Sequence, residues 1–120
     1  MKKKILIILS YLLIFFNSYL LADEGKKILK IGLLAPLSGE YKELGSSFLY
    51  SLQLALEEIN DDKVVIIPRD SGFNDKEMLK SAIEEIRLEG AKIIIGPITN
   101  SDFNEVKKFG DLTFISPSNI

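Results

Sequence analysis

The 120-residue sequence contains no cysteine, no histidine and no tryptophan. Without cysteine, the chain can form no disulfide, no thiolate metal site and no lipid anchor on cysteine, and it has no cysteine nucleophile. Without histidine, it lacks the commonest general base and the commonest metal ligand, and a Ser–His–Asp triad cannot be built. We therefore expect a protein that acts by binding rather than by catalysis, with no catalytic residue, metal site or cofactor.

The sequence also has no large excess of positive or negative charge. Fifteen Lys and Arg stand against 17 Asp and Glu, for a net charge of −2. No basic patch favours nucleic acid as a partner. The stretch Gly39–Gly45 lacks the Gly-Lys-Ser/Thr ending of a phosphate-binding loop, and no Gly-x-Gly-x-x-Gly follows the first predicted strand. A nucleotide enzyme is thus poorly supported.

The amino terminus has the pattern of a secretory signal peptide. Three lysines at positions 2–4 precede an apolar stretch that continues through Phe16. We predict cleavage after Ala22, so that residues 1–22 form the signal peptide and residues 23–120 the exported domain. Signal peptides usually have a small residue at the third position before the cleavage site, and here that residue is Leu20. An uncleaved membrane anchor is therefore the alternative. The protein would then contact the membrane only through this segment.

The remaining sequence alternates buried strands with amphipathic helices. Short apolar runs predict strands, and apolar residues three and four apart predict helices. This alternation predicts an α/β fold, a doubly wound parallel sheet with helices on both faces. The predicted strands are Ile28–Ala35, Lys63–Pro68, Ala91–Pro97 and Thr113–Ser116, and the predicted helices run from Gly45 or Ser46 to Asn60, from Asn74 or Asp75 to Gly90, and from Asn100–Asp102 to Lys108.

The fourth predicted strand has no helix after it. A doubly wound sheet normally continues beyond this point, so we expect the chain to be the amino-terminal part of a longer protein, or a truncated piece of it. The uncovered strand would expose apolar surface, which predicts a tendency to associate.

Candidate ligand contacts lie in the loops that follow the strands. These loops converge on one edge of a parallel sheet and are rich in Ser, Asn and Gly. Hydroxyls and backbone N–H groups there suit an anionic or zwitterionic ligand, although the same residue types are common in ordinary turns. Arg69 and Asp70 have two interpretations, a local ion pair or a clamp on a ligand carboxylate.

Four stretches together resemble type 1 periplasmic binding proteins of the leucine-binding kind. They are Ile31–Gly39, Ala55–Asn60, Ile93–Pro97 and Ile115–Ser118, and they occur in the order of that family. The resemblance spans residues 28–120. It implies a two-lobed extracytoplasmic receptor that closes on a small ligand, with residues 23–120 as the amino-terminal, Rossmann-like lobe.

Within that fold, the chain is most similar to the penicillin-binding protein activators. The similarity is carried by the compact Asp61-Asp62 connection and by Pro68–Gly72, Glu89–Ala91 and Ser118-Asn119. It implies a periplasmic regulator that docks on a peptidoglycan synthase. The alternative is the substrate-binding protein of an ABC transporter for amino acids or similar solutes, whose partners would be the transporter's membrane subunits. The ligand contacts would then be Ser38, Tyr41, Thr99, Asn100, Ser118 and Asn119.

Overall fold

A computed structural model describes residue 25, residues 27–98 and residues 103–117. Strands and helices alternate along the described chain, as the apolar pattern predicts. Their bounds are β1 Leu29–Ala35, α1 Lys42–Ile59, β2 Val64–Asp70, α2 Lys76–Leu88, β3 Ile93–Ile95, α3 Phe103–Val106 and β4 Thr113–Ile115.

The four strands form one parallel sheet in the order β2-β1-β3-β4. The chain moves from β1 to β2 in one direction and then crosses back past β1 to β3. Right-handed crossovers in opposite directions place α1 on one face of the sheet and α2 with α3 on the other. The predicted doubly wound α/β architecture is confirmed.

The main core lies between the sheet and α2. Gly32 is paired with Ile67 on one side and Ile94 on the other, so these three positions share one face. A Cβ on Gly32 would lie 2.5 Å from Cγ2 of Ile86, which shows how closely α2 approaches the sheet. The buried residues of this core are Leu34, Ile67, Leu79, Ala82, Ile83, Ile86, Ala91, Ile94, Val106 and Leu112.

Helix α2 begins and ends as its sequence predicts. The side chain of Asp75 accepts a hydrogen bond from the N–H of Met78 at 2.9 Å, which caps the first turn. Gly90 follows the helix at a φ of +92°, a conformation that glycine adopts without strain. Its predicted inward face is confirmed at Leu79, Ala82, Ile83 and Ile86, whereas Met78, in the first turn, is exposed.

Helix α1 begins earlier than predicted and is buried less. It starts at Lys42 rather than at Gly45 or Ser46. A Cβ on Gly45 would overlap the carbonyl oxygen of Pro36, so this glycine permits close packing of the helix on the end of β1 and does not break it. Of the predicted inward stripe, Ala55 and Ile59 are exposed.

Strand β2 continues past Pro68 to Asp70, beyond its predicted end. It is an edge strand, and only Ile67 in it is fully buried, so the prediction of a buried strand was wrong. Ser71 N–H donates to the Ala35 carbonyl, and the Lys63 carbonyl accepts from Leu29 N–H. The odd-numbered residues therefore bond to β1, and Pro68 lies on the outer side, where its missing N–H breaks no bond in the sheet.

Candidate functional site

The loops after β1 and β2 meet at the carboxyl end of the sheet. The first loop carries Ser38 and leads to Tyr41, immediately before α1, and the second carries Phe73 after the end of β2 at Asp70. Strand pairing brings the two loops together, because Ala35 and Asp70 are opposite each other in the register of β1 and β2. The candidate site in the described part of the chain consists of Ser38, Tyr41, Asp70 and Phe73.

The Asp70 carboxylate joins the two loops. Its Oδ1 accepts hydrogen bonds from the N–H of Leu37 and from the N–H of Gly72, each at 2.9 Å. Partial burial alone would raise the pKa of Asp70, but interactions with the Ser38 hydroxyl and with the backbone N–H groups of Gly72, Leu37 and Ser38 outweigh it and hold the pKa below its ordinary value. Asp70 is therefore ionised and engaged with its own chain.

Two aromatic rings, one from each loop, stack on each other. The ring centroids of Tyr41 and Phe73 are 4.0 Å apart, and the ring planes are inclined by 27°. Tyr41 is half-buried and Phe73 is exposed. The pair presents apolar ring surface on the same loops that carry the exposed Ser38, whose hydroxyl can donate and accept hydrogen bonds. This combination suits contact with a ligand that is partly apolar and carries a donor group.

Arg69 forms its ion pairs with Glu85 and Glu89 rather than with Asp70, so the predicted local Arg69–Asp70 ion pair was wrong, and the clamp on a ligand carboxylate stays a prediction. Successive residues of a strand point to opposite faces, so the two side chains separate. The Arg69 guanidinium lies on the α2 side, where its Nε donates to Glu85 at 2.7 Å and its Nη2 donates to Glu89. A cavity of about 340 Å³ lies beside this cluster. Its lining is Arg69, Asp70, Met78, Ser81, Ala82 and Glu85.

Comparison with known proteins gives the family. Residues 28–113 match the family model described as "Periplasmic binding protein". The chain belongs to this family. No curated protein matches the chain.

Solved structures of periplasmic binding proteins share the fold. An ABC transporter substrate-binding protein from Sphaerobacter thermophilus superposes with a TM-score of 0.65 at 23% identity, over 73% of this chain and 26% of that protein. Full-length LpoA from Haemophilus influenzae gives 0.62 at 18% identity, over 78% of this chain and 17% of LpoA. A periplasmic binding protein from Burkholderia mallei gives 0.63 at 18% identity, over 77% and 27%. The present chain thus spans about a quarter or less of each relative.

The type 1 periplasmic binding protein fold is therefore established, and the site at its strand ends is only partly defined. Of the predicted ligand contacts, Ser38 and Tyr41 lie on the loop after β1, and Tyr41 contacts the loop after β2 through Phe73. The other four, Thr99, Asn100, Ser118 and Asn119, lie outside the described residues. The predicted signal peptide, residues 1–22, lies outside them too.

Sequence reasoning missed Phe73 and the role of Asp70 at this site. The available signal was local, because Asp70-Ser71-Gly72-Phe73 places a carboxylate and an aromatic residue around a glycine in a strand-end loop. Their partners, Leu37 and Tyr41, are far away in sequence, so only the sheet register reveals the contacts.

Within residues 25, 27–98 and 103–117, no cluster of acidic side chains has the arrangement of a metal site. In the same residues, no helix is both long enough and apolar enough to span a membrane. The family and its structural neighbours are binding proteins rather than enzymes.

Proposed function

We propose that the chain forms the amino-terminal lobe of a non-enzymatic binding protein in the periplasm, exported by residues 1–22, that regulates peptidoglycan synthesis as penicillin-binding protein activators do. Its partner would be a peptidoglycan synthase. The family membership supports a periplasmic location. The similarity to LpoA is compatible with the regulatory role.

The observation that carries this proposal is the state of Asp70. A receptor for a free amino acid needs charged or strongly polar groups that remain available for the ammonium and the carboxylate of the ligand. At the end of β2 that acidic group is Asp70, whose Oδ1 already accepts two backbone hydrogen bonds from its own chain, and whose lowered pKa reflects further stabilisation by Ser38. Arg69, the basic neighbour, faces away toward α2. The carboxyl ends of β1 and β2 therefore offer no free charged group from Asp70 or Arg69 to a ligand, which favours a docking surface over a pocket for a charged ligand.

A second candidate is a substrate-binding protein of an ABC transporter for amino acids or similar small solutes. The stacked rings of Tyr41 and Phe73, on the same loops as the exposed Ser38 hydroxyl, favour it, since small-molecule sites combine apolar walls with a few polar groups. The similar structure from Sphaerobacter thermophilus is described as an ABC transporter substrate-binding protein. Under this proposal, Ser38, Tyr41, Thr99, Asn100, Ser118 and Asn119 contact the solute, and the membrane subunits of the transporter are the partners.

Thermal unfolding of the full protein with single amino acids and peptidoglycan fragments separates the two candidates. A ligand at a hundred times its Kd stabilises a protein by about 2.7 kcal/mol, which raises the unfolding midpoint by several degrees. For a regulator we expect no shift with any amino acid. We also expect direct binding to a purified peptidoglycan synthase and a change in its polymerisation rate.

Matched serine variants make the result specific to the site. Ser38→Ala removes the hydroxyl at the strand ends, whereas Ser81→Ala removes an exposed hydroxyl on α2. An amino-acid-dependent shift that Ser38→Ala reduces and Ser81→Ala leaves intact would identify a transport receptor and overturn the regulatory proposal. Failure of a purified synthase to bind would count against it as well.

A further inference from the structure

Helix α2 carries charges of opposite sign on its two flanks. Glu85 and its C-cap residue Glu89 pair with Arg69, so they lie on the flank toward β2. Lys76 pairs with Glu105 of α3, so it lies on the opposite flank. At 100° per residue, all basic residues of the helix fall on this second flank, and they are Lys76, Lys80 and Arg87. The flank toward β2 therefore carries acidic residues of α2 and no basic one.

The cavity of about 340 Å³ lies on this acidic flank, between α2 and the edge strand β2. Its lining contains two carboxylates, Asp70 and Glu85, and one guanidinium, that of Arg69, which Glu89 also contacts. Lys30 is at the other, C-terminal end of α2, where its Nζ donates to the Glu89 carbonyl at 2.7 Å. Since carboxylates outnumber positive groups around the cavity, it favours a positively charged occupant.

An apolar strip leads from the strand-end loops to the cavity. Tyr41 stacks on Phe73, which follows Gly72 in the loop after β2. A Cβ on Gly72 would lie 3.0 Å from the sulfur of Met78, and Met78 lines the cavity. Phe73 and Met78 are 40% and 39% exposed. The cavity is thus continuous with exposed apolar surface.

The edge at β2 is not where this sheet extends. The outward-facing backbone of β2 includes Pro68, which has no N–H to offer to another strand. Strand β4, at the opposite edge, spans Thr113–Ile115 and contains no proline. Any further strand of the sheet therefore joins beyond β4, away from the cavity. What approaches the β2 edge must be recognised through side chains rather than through strand pairing.

We propose that the β2–α2 groove, defined as the cavity beside Arg69 and Glu85 together with Phe73 and Met78, is where a segment of the partner synthase docks. A lysine or arginine side chain of that segment enters the cavity and contacts the Glu85 carboxylate, whose side chain is 55% exposed. An apolar side chain of the same segment covers Phe73 and Met78. A small free cation has no apolar part to cover this strip, which favours a protein segment. This inference rests on the proposed regulatory function.

Two neighbouring glutamates provide matched variants. Each is paired with an arginine, but Glu85 lines the cavity, whereas Glu84 pairs with Arg87 on the other side of the helix. With the full protein and a purified peptidoglycan synthase, we expect Glu85→Gln to weaken binding at least about fivefold and to make it less sensitive to salt. We expect Glu84→Gln to change neither property. Equal affinity and equal salt dependence of the two variants would overturn the inference.

A second pair of variants tests the apolar part of the groove. Met78→Ser removes the thioether, and Leu88→Ser truncates a side chain that is 82% exposed at the end of α2, outside the cavity. We expect Met78→Ser to weaken synthase binding at least about tenfold and Leu88→Ser to leave it unchanged. If the wild type binds the synthase and none of these variants alters binding, the groove is refuted and the regulatory function stands. If the wild type does not bind, both are refuted.

Oxidation of Met78 measures whether the groove is open in the full protein. Hydrogen peroxide converts an accessible methionine to the sulfoxide, and mass spectrometry of the peptide that contains Met78 follows this position by itself. We expect rapid oxidation in the full protein alone, and oxidation at least about fivefold slower with saturating synthase. Slow oxidation in the protein alone would show that its own remaining chain covers the groove and would overturn the inference. Equal rates with and without the synthase would do the same.

Discussion

Replacement of Asp70 by asparagine tests whether one carboxylate holds the strand-end loops together. Asparagine keeps an oxygen that can accept from the N–H groups of Leu37 and Gly72. It loses the negative charge that Ser38 and the backbone N–H groups stabilise in the wild type, and it puts an NH₂ group in place of one carboxylate oxygen. Hydrogen bonds to charged groups contribute about 1.5–3 kcal/mol each. Because two of the contacts survive in weaker form, we expect a loss of about 2 kcal/mol in the free energy of unfolding, or roughly 8–16 °C in the midpoint.

The same substitution has a defined pH dependence. The pKa of Asp70 is lowered in the folded protein, so the unfolded chain binds a proton more readily than the folded chain. The carboxylate therefore contributes its full stabilisation above the ordinary aspartate pKa of about 3.9, and the contribution falls as the pH drops through the folded pKa. The difference between wild type and Asp70→Asn should be largest near pH 7 and should shrink below about pH 4.

Urea denaturation at a series of pH values measures both effects. Asp75→Asn is the matched control, because Asp75 accepts one backbone bond from Met78 and asparagine caps helices as well as aspartate does. Equal stability of the Asp70→Asn and Asp75→Asn proteins at pH 7 would refute the argument. A difference between wild type and Asp70→Asn that does not change with pH would refute the linkage part of it.

Two further substitutions test the packing on the two faces of the sheet. A glycine-to-alanine change normally stabilises a helix, but in Gly45→Ala the new Cβ would meet the Pro36 carbonyl. We therefore expect the free energy of unfolding to fall by about 1–3 kcal/mol in thermal denaturation. A stabilised variant would show that α1 does not lie this close to β1. Ile83→Ala shortens a fully buried side chain on α2 and should lower the free energy of unfolding by about 2–5 kcal/mol in the same assay. A loss below about 1 kcal/mol would mean that this core is loosely packed.

The order of strands and helices was predictable because each apolar pattern is local. A run such as Ile93-Ile94-Ile95 between a glycine turn and Gly96-Pro97 can be covered on both faces only as a strand inside a sheet. The Asp75 cap was readable as well, since a cap bonds within its own turn. Features of this kind need no knowledge of distant residues.

Boundaries and contacts that depend on distant residues were not predictable in this way. Gly45 has the sequence signal of a helix break, and only the approach of the Pro36 carbonyl explains why a glycine lies inside α1. Pro68 has the signal of a strand end, and only the edge position of β2 shows why the strand continues past it. The stacking of Tyr41 on Phe73 likewise follows from the register between β1 and β2.

Pro68 also affects how the molecule behaves toward other strands. An edge strand usually presents a regular row of N–H and C=O groups, to which a foreign strand can add in amyloid-like or domain-swapped pairing. In β2 that row lacks a donor at its outward-facing proline, and the pyrrolidine ring occupies the place where an incoming strand would lie. Growth of the sheet beyond β2 is thereby blocked, which protects the chain from aggregation at this edge.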